Sequence, residues 1–153
     1  MDISSGNGYP SSALSNFAPH EFILDGIKCA SMEGFLQSLK FKNPDMQEHI
    51  CSLVGMSAKK KGSHKNWHKS QTLYWRGIPY KRDSQEYQDL LDRAYIELGK
   101  NEGFKKALIA TKGMTLTHSV GKNKQADTVL TTQEFISRLY KQREIVLEEQ
   151  KER

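Results

Sequence analysis

The sequence predicts one mostly helical α+β domain, spanning residues 1–153, with a small β element near its N-terminus. Its length suits a single domain with a real core, and 37% hydrophobic with 27% charged residues is typical of a soluble globular chain. Apolar residues recur with helical period along much of the chain, most clearly between Tyr87 and Leu98. A strand–turn–strand pattern stands out around Asp25-Gly26.

The composition excludes several classes of protein. No apolar run approaches the ~20 residues of a transmembrane helix, and the N-terminus lacks the basic and apolar regions of a signal peptide. Two cysteines are too few for a disulfide framework, so a cytoplasmic location is expected. The net charge of +5 and the pI near 9.1 favour anionic partners such as nucleotides, phosphates or nucleic acid.

Local signals place the elements of the first third of the chain. Residues 1–12 are rich in Ser and Gly and predict a loop. Two short strands flank Asp25-Gly26, a dipeptide that suits a type I′ turn. Ser31 is placed to cap a helix, and Asn43-Pro44 predicts the start of the next one. Gly55 is expected to end that second helix.

The middle of the chain is less regular. A basic segment, Lys59–Lys61, is followed by Gly62, which is expected to stop it. The residues from there through Lys69 predict a loop followed by a helix. Residues 73–79 have no clear period, which favours a loop or an edge strand. Asp83–Glu86 predicts a capping box that opens the most regular helix of the chain.

The last third alternates between short strands and helices in this prediction. Asn101 is expected to cap one helix. Residues 116–120 and 128–130 are predicted as short strands on either side of a polar loop. Thr131–Glu134 predicts another capping box at the start of a long helix. The charged end of that helix, residues 148–153, is expected to fray.

The helix predicted from Ser31 to Phe41, SMEGFLQSLKF, carries an unusual polar stripe. Glu33, Gln37, Lys40 and Phe41 have the spacing of residues that share one helical face. A core-facing stripe would carry apolar groups at such positions. The stripe is therefore either a solvated Glu/Lys face or a set of side chains that bind a ligand.

A second candidate is the segment from Lys59 to Lys69, in which five lysines surround Trp67. Lysines bind phosphates as point charges, and an indole ring stacks on a base. The alternative is a solvated lysine face that Trp67 anchors to the core. His64 and His68 have the spacing of a metal-ligand pair, but they lie among these lysines. With no zinc, P-loop or dinucleotide motif in the sequence, neither a metal nor a cofactor is expected.

Several of these features occur together in one known family. Ser15-Asn16-Phe17, the Asp-Gly hairpin and the Glu-x-x-x-Gln-x-x-Lys-Phe pattern of residues 33–41 resemble, in order and spacing, the NADAR superfamily, also called the YbiA-like fold. The resemblance runs over residues 14–143. It departs from the family where an Asp and a Trp-Gly pair usually precede the last helix. Here that region begins with His118–Gly121, and Asp127 is the match to the acidic residue.

The resemblance implies an N-glycosidase that hydrolyses the bond between a nucleobase and ADP-ribose. The expected substrate is ADP-ribosylated guanine in nucleic acid or nucleotides. The alternatives are a glycosidase for phosphorylated ribosylamino intermediates of the riboflavin pathway, and a non-catalytic module that binds ADP-ribose or nucleic acid. The implied catalytic residues are Glu33, Lys40 and Asp127. The implied substrate-binding residues are Asn16, Phe17, Gln37, Trp67, Lys61, Gly62, His118 and Ser119.

The residues fit this chemistry on physical grounds. Cleaving an N-glycosidic bond develops positive charge at C1′, which the Glu33 carboxylate would stabilise or use to activate water. Glu33 lies in the first helical turn, where the helix dipole favours the ionised form, so a base is expected rather than a resting acid. Lys40 would attack an opened sugar as a free amine, for which burial must lower its pKa.

Overall fold

Seven α-helices and two antiparallel hairpins build the part of the chain that the computed structural model describes, residues 1–152. The helices are α1 (Ser11–Leu14), α2 (Met32–Ser38), α3 (Pro44–Cys51), α4 (Gly55–Ser63), α5 (Gln85–Leu98), α6 (Glu102–Ala110) and α7 (Thr132–Lys151). The strands are β1 (Phe22–Leu24), β2 (Ile27–Cys29), β3 (Thr72–Trp75) and β4 (Ile78–Lys81), and a 3-10 turn covers Gln125–Asp127. The predicted α+β class is confirmed. Among the described helices, none combines the length and the apolarity that crossing a bilayer requires.

The predicted hairpin is present, and a second hairpin lies where a loop or an edge strand was expected. β1 pairs with β2 around Asp25 (φ 50°) and Gly26 (φ 80°), as the type I′ turn requires. β3 pairs with β4 around Arg76 (φ 54°) and Gly77 (φ 80°). The second turn uses the same backbone conformation, but arginine rarely occupies the left-handed region, so its sequence gives little signal.

Side-chain caps begin most of the longer helices at the predicted residues. The Ser31 hydroxyl accepts a hydrogen bond from Gly34 N–H at 3.1 Å, and Asn43 accepts one from Met46 N–H at 3.0 Å. The capping box of Thr131 and Glu134 is also confirmed. A cap satisfies backbone donors with a neighbouring side chain, so it can be predicted without tertiary information.

The cap of α5 lies one residue later than predicted. Ser84, not Asp83, accepts a hydrogen bond from Tyr87 N–H at 3.2 Å. The predicted end of the second helix is also wrong, because Gly55 (φ 52°) is the first residue of α4. α4 then continues through the lysines to Ser63, and it is followed by turns rather than by a further helix.

The two strands predicted in the last third are absent from the structure. In place of a strand over residues 116–120 there is a single parallel bridge between Asp2 and Thr117. Residues 128–130 run without strand pairing, and their carbonyl groups accept hydrogen bonds from distant side chains. Arg82 Nε donates to Thr128 O at 2.8 Å, and the Tyr87 hydroxyl donates to Val129 O at 2.6 Å. The peptide groups of this segment are therefore satisfied by side chains and not by a neighbouring strand.

The core forms around α2, which packs against both α3 and α4. Phe35 on its inner face makes edge-to-face contacts with Trp75, at 5.1 Å between ring centroids, and with Phe22, at 6.1 Å. Such contacts add to the stabilisation from burial alone. Gly34 brings α2 close to the end of α3, because a Cβ atom at that position would lie 2.6 Å from Leu53 O. With its inner face fixed on the core, α2 turns the polar stripe away from it.

We expect Gly34→Ala to destabilise the protein, although alanine is ordinarily the better helix former by ~1 kcal/mol. The added methyl group would meet three backbone carbonyl oxygens, and backbone cannot rotate away as a side chain can. Overpacking of this kind costs roughly 1–3 kcal/mol. Urea denaturation monitored by tryptophan fluorescence measures the change, and an increase in the free energy of unfolding would contradict the expectation.

Candidate functional site

The polar stripe of α2 lines a cleft with a volume of about 590 Å³, a size typical of sites for small molecules. Residues 15–17 form one wall together with the start of α4. Residues 118, 120–122 and 127–130 form a second wall, which Trp67 and His68 extend. The cleft therefore gathers residues from both ends and the middle of the chain around the α2 stripe.

Glu33, which is half-buried, and Gln37, which is buried, form a hydrogen-bonded pair in this cleft. Gln37 is only 7% exposed, and its Nε2 donates to Glu33 Oε2 at 2.7 Å. The Glu33 backbone N–H donates to Asn16 O at 2.9 Å, which joins α2 to the wall of residues 15–17. Burial raises the pKa of the Glu33 carboxyl, and the hydrogen bond from Gln37 with the charges of Lys59 and Lys40 only partly opposes this.

Burial of Glu33 opposes the effect of the helix dipole on the pKa of its carboxyl. Position in the first turn of α2 was expected to keep Glu33 ionised and to favour a base over an acid. Desolvation of the carboxylate is the largest effect on its pKa in the folded protein. Glu33 is therefore suited to accept a proton and to return it at a pH closer to neutrality than an exposed glutamate is.

Lys40 lies two residues beyond the end of α2, half-buried in the same cleft. Its Nζ donates to Gly62 O at 3.4 Å, and no ion pair within 4.0 Å joins it to Glu33. Burial lowers its pKa, as do the positive charges of Lys122 and Lys59, while Glu33 opposes the change. A lysine in such surroundings holds more of the free amine than an exposed lysine does.

Gly62 acts beneath the cleft rather than within it. Any side chain at this position would overlap the Gln37 amide, so glycine is required for Gln37 to reach Glu33. The same residue supplies the carbonyl oxygen that accepts from Lys40. Gly62 thus positions both ends of the polar stripe without lining the cleft.

Asn16 faces the cleft with a fixed amide orientation. The Tyr95 hydroxyl donates to Asn16 Oδ1 at 2.8 Å, so the Nδ2 group is left as a donor. Burial raises the pKa of Tyr95, which keeps this hydroxyl protonated. Beside Asn16, the half-buried Phe17 ring lies 6.0 Å from Lys59 Nζ. Asn16 and Phe17 therefore occupy the cleft wall where the sequence placed them.

The aromatic wall is a pair of rings. Trp67 is 3% exposed, and the exposed His68 ring lies over it at 4.5 Å between centroids with an angle of 30°. His68 Nε2 lies 3.5 Å from the Asp127 carbonyl oxygen. The sequence suggested Trp67 but not His68, because a histidine beside a buried tryptophan gives no signal of its own.

His118 and Asp127 both line the cleft, whereas Ser119 does not. His118 Nδ1 donates to Ile3 O at 2.7 Å, so its Nε2 is free to act in the cleft. Asp127 is exposed in the 3-10 turn. The Ser119 hydroxyl donates to Asp2 Oδ2 at 2.6 Å and so has a structural partner.

The lysines of the cleft differ from the one predicted. Lys61 is exposed on α4 but lies outside the lining, whereas Lys59 and Lys122 belong to it. The helical phase of α4 explains the difference, because Ala58 and Gly62 face the core and Lys59 lies beside them on the cleft side. No group of three potential metal ligands occurs among residues 1–152.

Comparisons with known proteins place the chain in a family. The family model described as Bacteriophage protein GP30.3 matches residues 8–144. An uncharacterized 17.1 kDa protein of the Gp30–rIII intergenic region of Enterobacteria phage T4 is 42% identical over 139 residues, which cover 89% of this chain and 91% of that protein. The NMR structure of the Escherichia coli protein YbiA is similar with a TM-score of 0.63 and 18% identity, over 100% of this chain and 88% of that chain.

The similarity to YbiA concerns the fold, since the sequence identity is low. It confirms the YbiA-like fold predicted from the order and spacing of the motifs. The match to the phage family covers most of the chain at the sequence level. The chain therefore has the YbiA-like fold and belongs to the bacteriophage GP30.3 protein family.

Proposed function

We propose that this protein is an N-glycosidase that hydrolyses the bond between a nucleobase and ADP-ribose, with ADP-ribosylated guanine as its substrate. The hydrogen-bonded Glu33–Gln37 pair supports this proposal most directly. It holds a carboxyl group of raised pKa in a cleft that also contains an amine of lowered pKa, Lys40. An acid–base group and an amine nucleophile in one cleft are groups that glycosidic bond cleavage can use.

In the proposed reaction the C1′–N bond breaks as positive charge develops on the ribose. The Glu33 carboxylate stabilises that charge, and the surrounding low dielectric strengthens the interaction. Either water or Lys40 Nζ then attacks C1′. In the lysine route Nζ bonds to C1′, and the guanine amine leaves with the proton that Nζ loses. The C1′–O4′ bond then breaks as a proton reaches O4′, which gives a Schiff base between Nζ and C1′. Water adds to C1′ of the Schiff base, and the ribose is released as Glu33 transfers a proton and Nζ becomes an amine again.

The rest of the cleft suits the remainder of such a substrate. Asn16 offers an amide donor whose orientation Tyr95 fixes, which suits a ribose hydroxyl or a phosphate oxygen. Lys59 and Lys122 supply positive charge for the diphosphate. The exposed His68 ring, which lies over the buried Trp67, offers a surface on which a base stacks.

The proposal is tested by incubating the protein with an oligonucleotide that carries ADP-ribosylated guanine and measuring free ADP-ribose by chromatography. Release that follows enzyme concentration supports the proposal. Phosphorylated ribosylamino intermediates of riboflavin synthesis form a second arm, and their selective hydrolysis would replace the substrate assignment. If both substrates remain intact while ADP-ribose binds, the protein is a binding module and the proposed activity is wrong.

The lysine route predicts a covalent intermediate on Lys40. Adding borohydride during turnover is expected to reduce the Schiff base and leave a stable adduct, visible by intact mass spectrometry and mapped to Lys40. Lys40→Arg is expected to give no adduct, because a guanidinium stays protonated. Lys42→Arg, an exposed neighbour, is the matched control and is expected to be labelled like the wild type. Full activity without any adduct would instead assign the attack to water.

A further inference from the structure

Positive charge is segregated in one part of this chain. Between Glu48 and Asp83 the sequence contains no aspartate or glutamate. The same interval contains the basic residues Lys59, Lys60, Lys61, Lys65, Lys69, Arg76, Lys81 and Arg82. A second interval without carboxylates, from Gly103 to Ala126, contains Lys122, which lines the cleft, and Lys124 two residues further along the chain. The net charge of +5 is therefore concentrated and not spread evenly.

The five lysines between residues 59 and 69 have no carboxylate partner among the described residues. All five lysines between residues 59 and 69 are exposed, and among the described residues none lies within 4.0 Å of a carboxylate oxygen. Four lysines elsewhere in the described residues pair with carboxylates: Lys28, Lys100, Lys105 and Lys151. Unpaired like charges on one surface repel each other and leave a positive potential that favours an anionic partner.

One of these lysines lines the cleft, and two of them lie close to half-buried aromatic rings. Lys59 lines the cleft and lies 6.0 Å from the Phe17 ring centroid, and Lys65 Nζ lies 5.3 Å from that of Phe41. Both rings are half-buried, so part of each is accessible. A phosphate-binding charge beside an accessible ring is the combination that holds the backbone and the bases of an unpaired strand.

We propose that this lysine surface, residues 59–69 with Lys122 and Lys124, binds the backbone of single-stranded nucleic acid. A base that must reach the half-buried Glu33 has to leave the stack of a duplex, whereas a single strand presents it at little cost. The strand then runs over the lysines and delivers one base into the cleft. Binding of the strand to the lysine surface does not depend on the proposed glycosidase function. Only the cleavage of the base that enters the cleft rests on that function.

The test measures fluorescence anisotropy of a labelled, unmodified single-stranded DNA oligonucleotide at increasing salt concentration. The variant Lys60→Gln/Lys65→Gln/Lys69→Gln removes three charges that lie outside the cleft lining. Lys106→Gln/Lys112→Gln/Lys141→Gln removes three exposed charges elsewhere and is the matched control. We expect the first variant to bind about tenfold more weakly and to reduce the salt slope by about 2, since each phosphate contact contributes ~0.7 on single strands.

The control variant is expected to bind like the wild type. Equal weakening in both variants would show a non-specific effect of net charge and would overturn the proposal. Tighter binding of duplex DNA or of anionic lipid vesicles would do the same. The first variant is expected to hydrolyse a modified mononucleotide at the wild-type rate. If the protein binds the single strand but has no glycosidase activity, the lysine surface is supported and the proposed function is wrong. If it hydrolyses the mononucleotide but does not bind the strand, the proposed function is supported and the lysine surface is wrong.

Discussion

Replacing Glu33 by glutamine is expected to reduce the rate of ADP-ribose release by at least about a hundredfold, because general acid–base groups contribute roughly 10²–10⁴. Glutamine keeps an oxygen that accepts the Gln37 hydrogen bond but has no charge and no titrating proton. The fold is therefore preserved while the acid–base chemistry is lost. Glu48→Gln, an exposed change on α3, is the matched control and should keep full activity.

The pH dependence distinguishes this role from a purely structural one. A carboxylate that acts as base is active when ionised, so activity falls as the pH decreases through its pKa. Burial raises the pKa of Glu33, so the loss should begin at a higher pH than for an exposed glutamate. Glu33→Gln should lack this acidic limb in its residual activity. A retained limb, or near-wild-type turnover, would remove Glu33 from the mechanism.

Local hydrogen bonding explains which parts of the fold could be predicted from the sequence. The caps at Ser31, Asn43 and Thr131 involve partners three residues away, so their residue types were sufficient. Residues 116–120 look like a strand, but the Leu116 N–H donates to the hydroxyl of Tyr140 at 2.8 Å instead of to a neighbouring strand. Such a partner is invisible to a local pattern.

The candidate site shows the same division. The α2 stripe follows from helical spacing, and the cleft confirms that Glu33, Gln37 and Lys40 lie together. The partner of Asn16 could not be foreseen, because Tyr95 reaches it from 79 residues further along the chain. The choice of Lys59 over Lys61 depends on the helical phase of α4, whose first residue, Gly55, was predicted to end the preceding helix. The spacing of residues within one helix therefore predicted which side chains share a face, whereas contacts between different elements could not be predicted from the sequence.

The largest effect on stability is expected from Arg82→Met. Arg82 is 1% exposed, and its guanidinium donates to both carboxylate oxygens of Glu134, with Nη1 at 3.1 Å from Oε2. It also lies over the Tyr87 ring at 4.9 Å from the centroid. Removing it leaves the Glu134 charge buried without its partner, which costs about 3–5 kcal/mol in the free energy of unfolding.

The pH dependence of this loss follows from Glu134. Desolvation raises the pKa of its carboxyl, but the hydrogen bonds from Arg82, Gln88 and the Thr131 N–H together outweigh it, so the pKa is lowered. A lowered pKa contributes stability above the unfolded pKa, and that stability is lost as the pH falls through the folded pKa. The wild type and Arg82→Met should therefore differ most near neutral pH and converge in acid, where the carboxyl is neutral in both.

Urea denaturation of Arg82→Met and Arg93→Met separates a buried ion pair from an exposed one. Arg93 pairs with Asp25 at 2.8 Å with a 46% exposed side chain, so its loss should cost less than about 1 kcal/mol. An equal change in both variants would contradict the assignment. Since Arg82 Nε also holds Thr128 O at the cleft wall, substrate binding in Arg82→Met should weaken under conditions where the protein is still folded. The ion pair behind the wall thus links the stability of the core to the shape of the cleft.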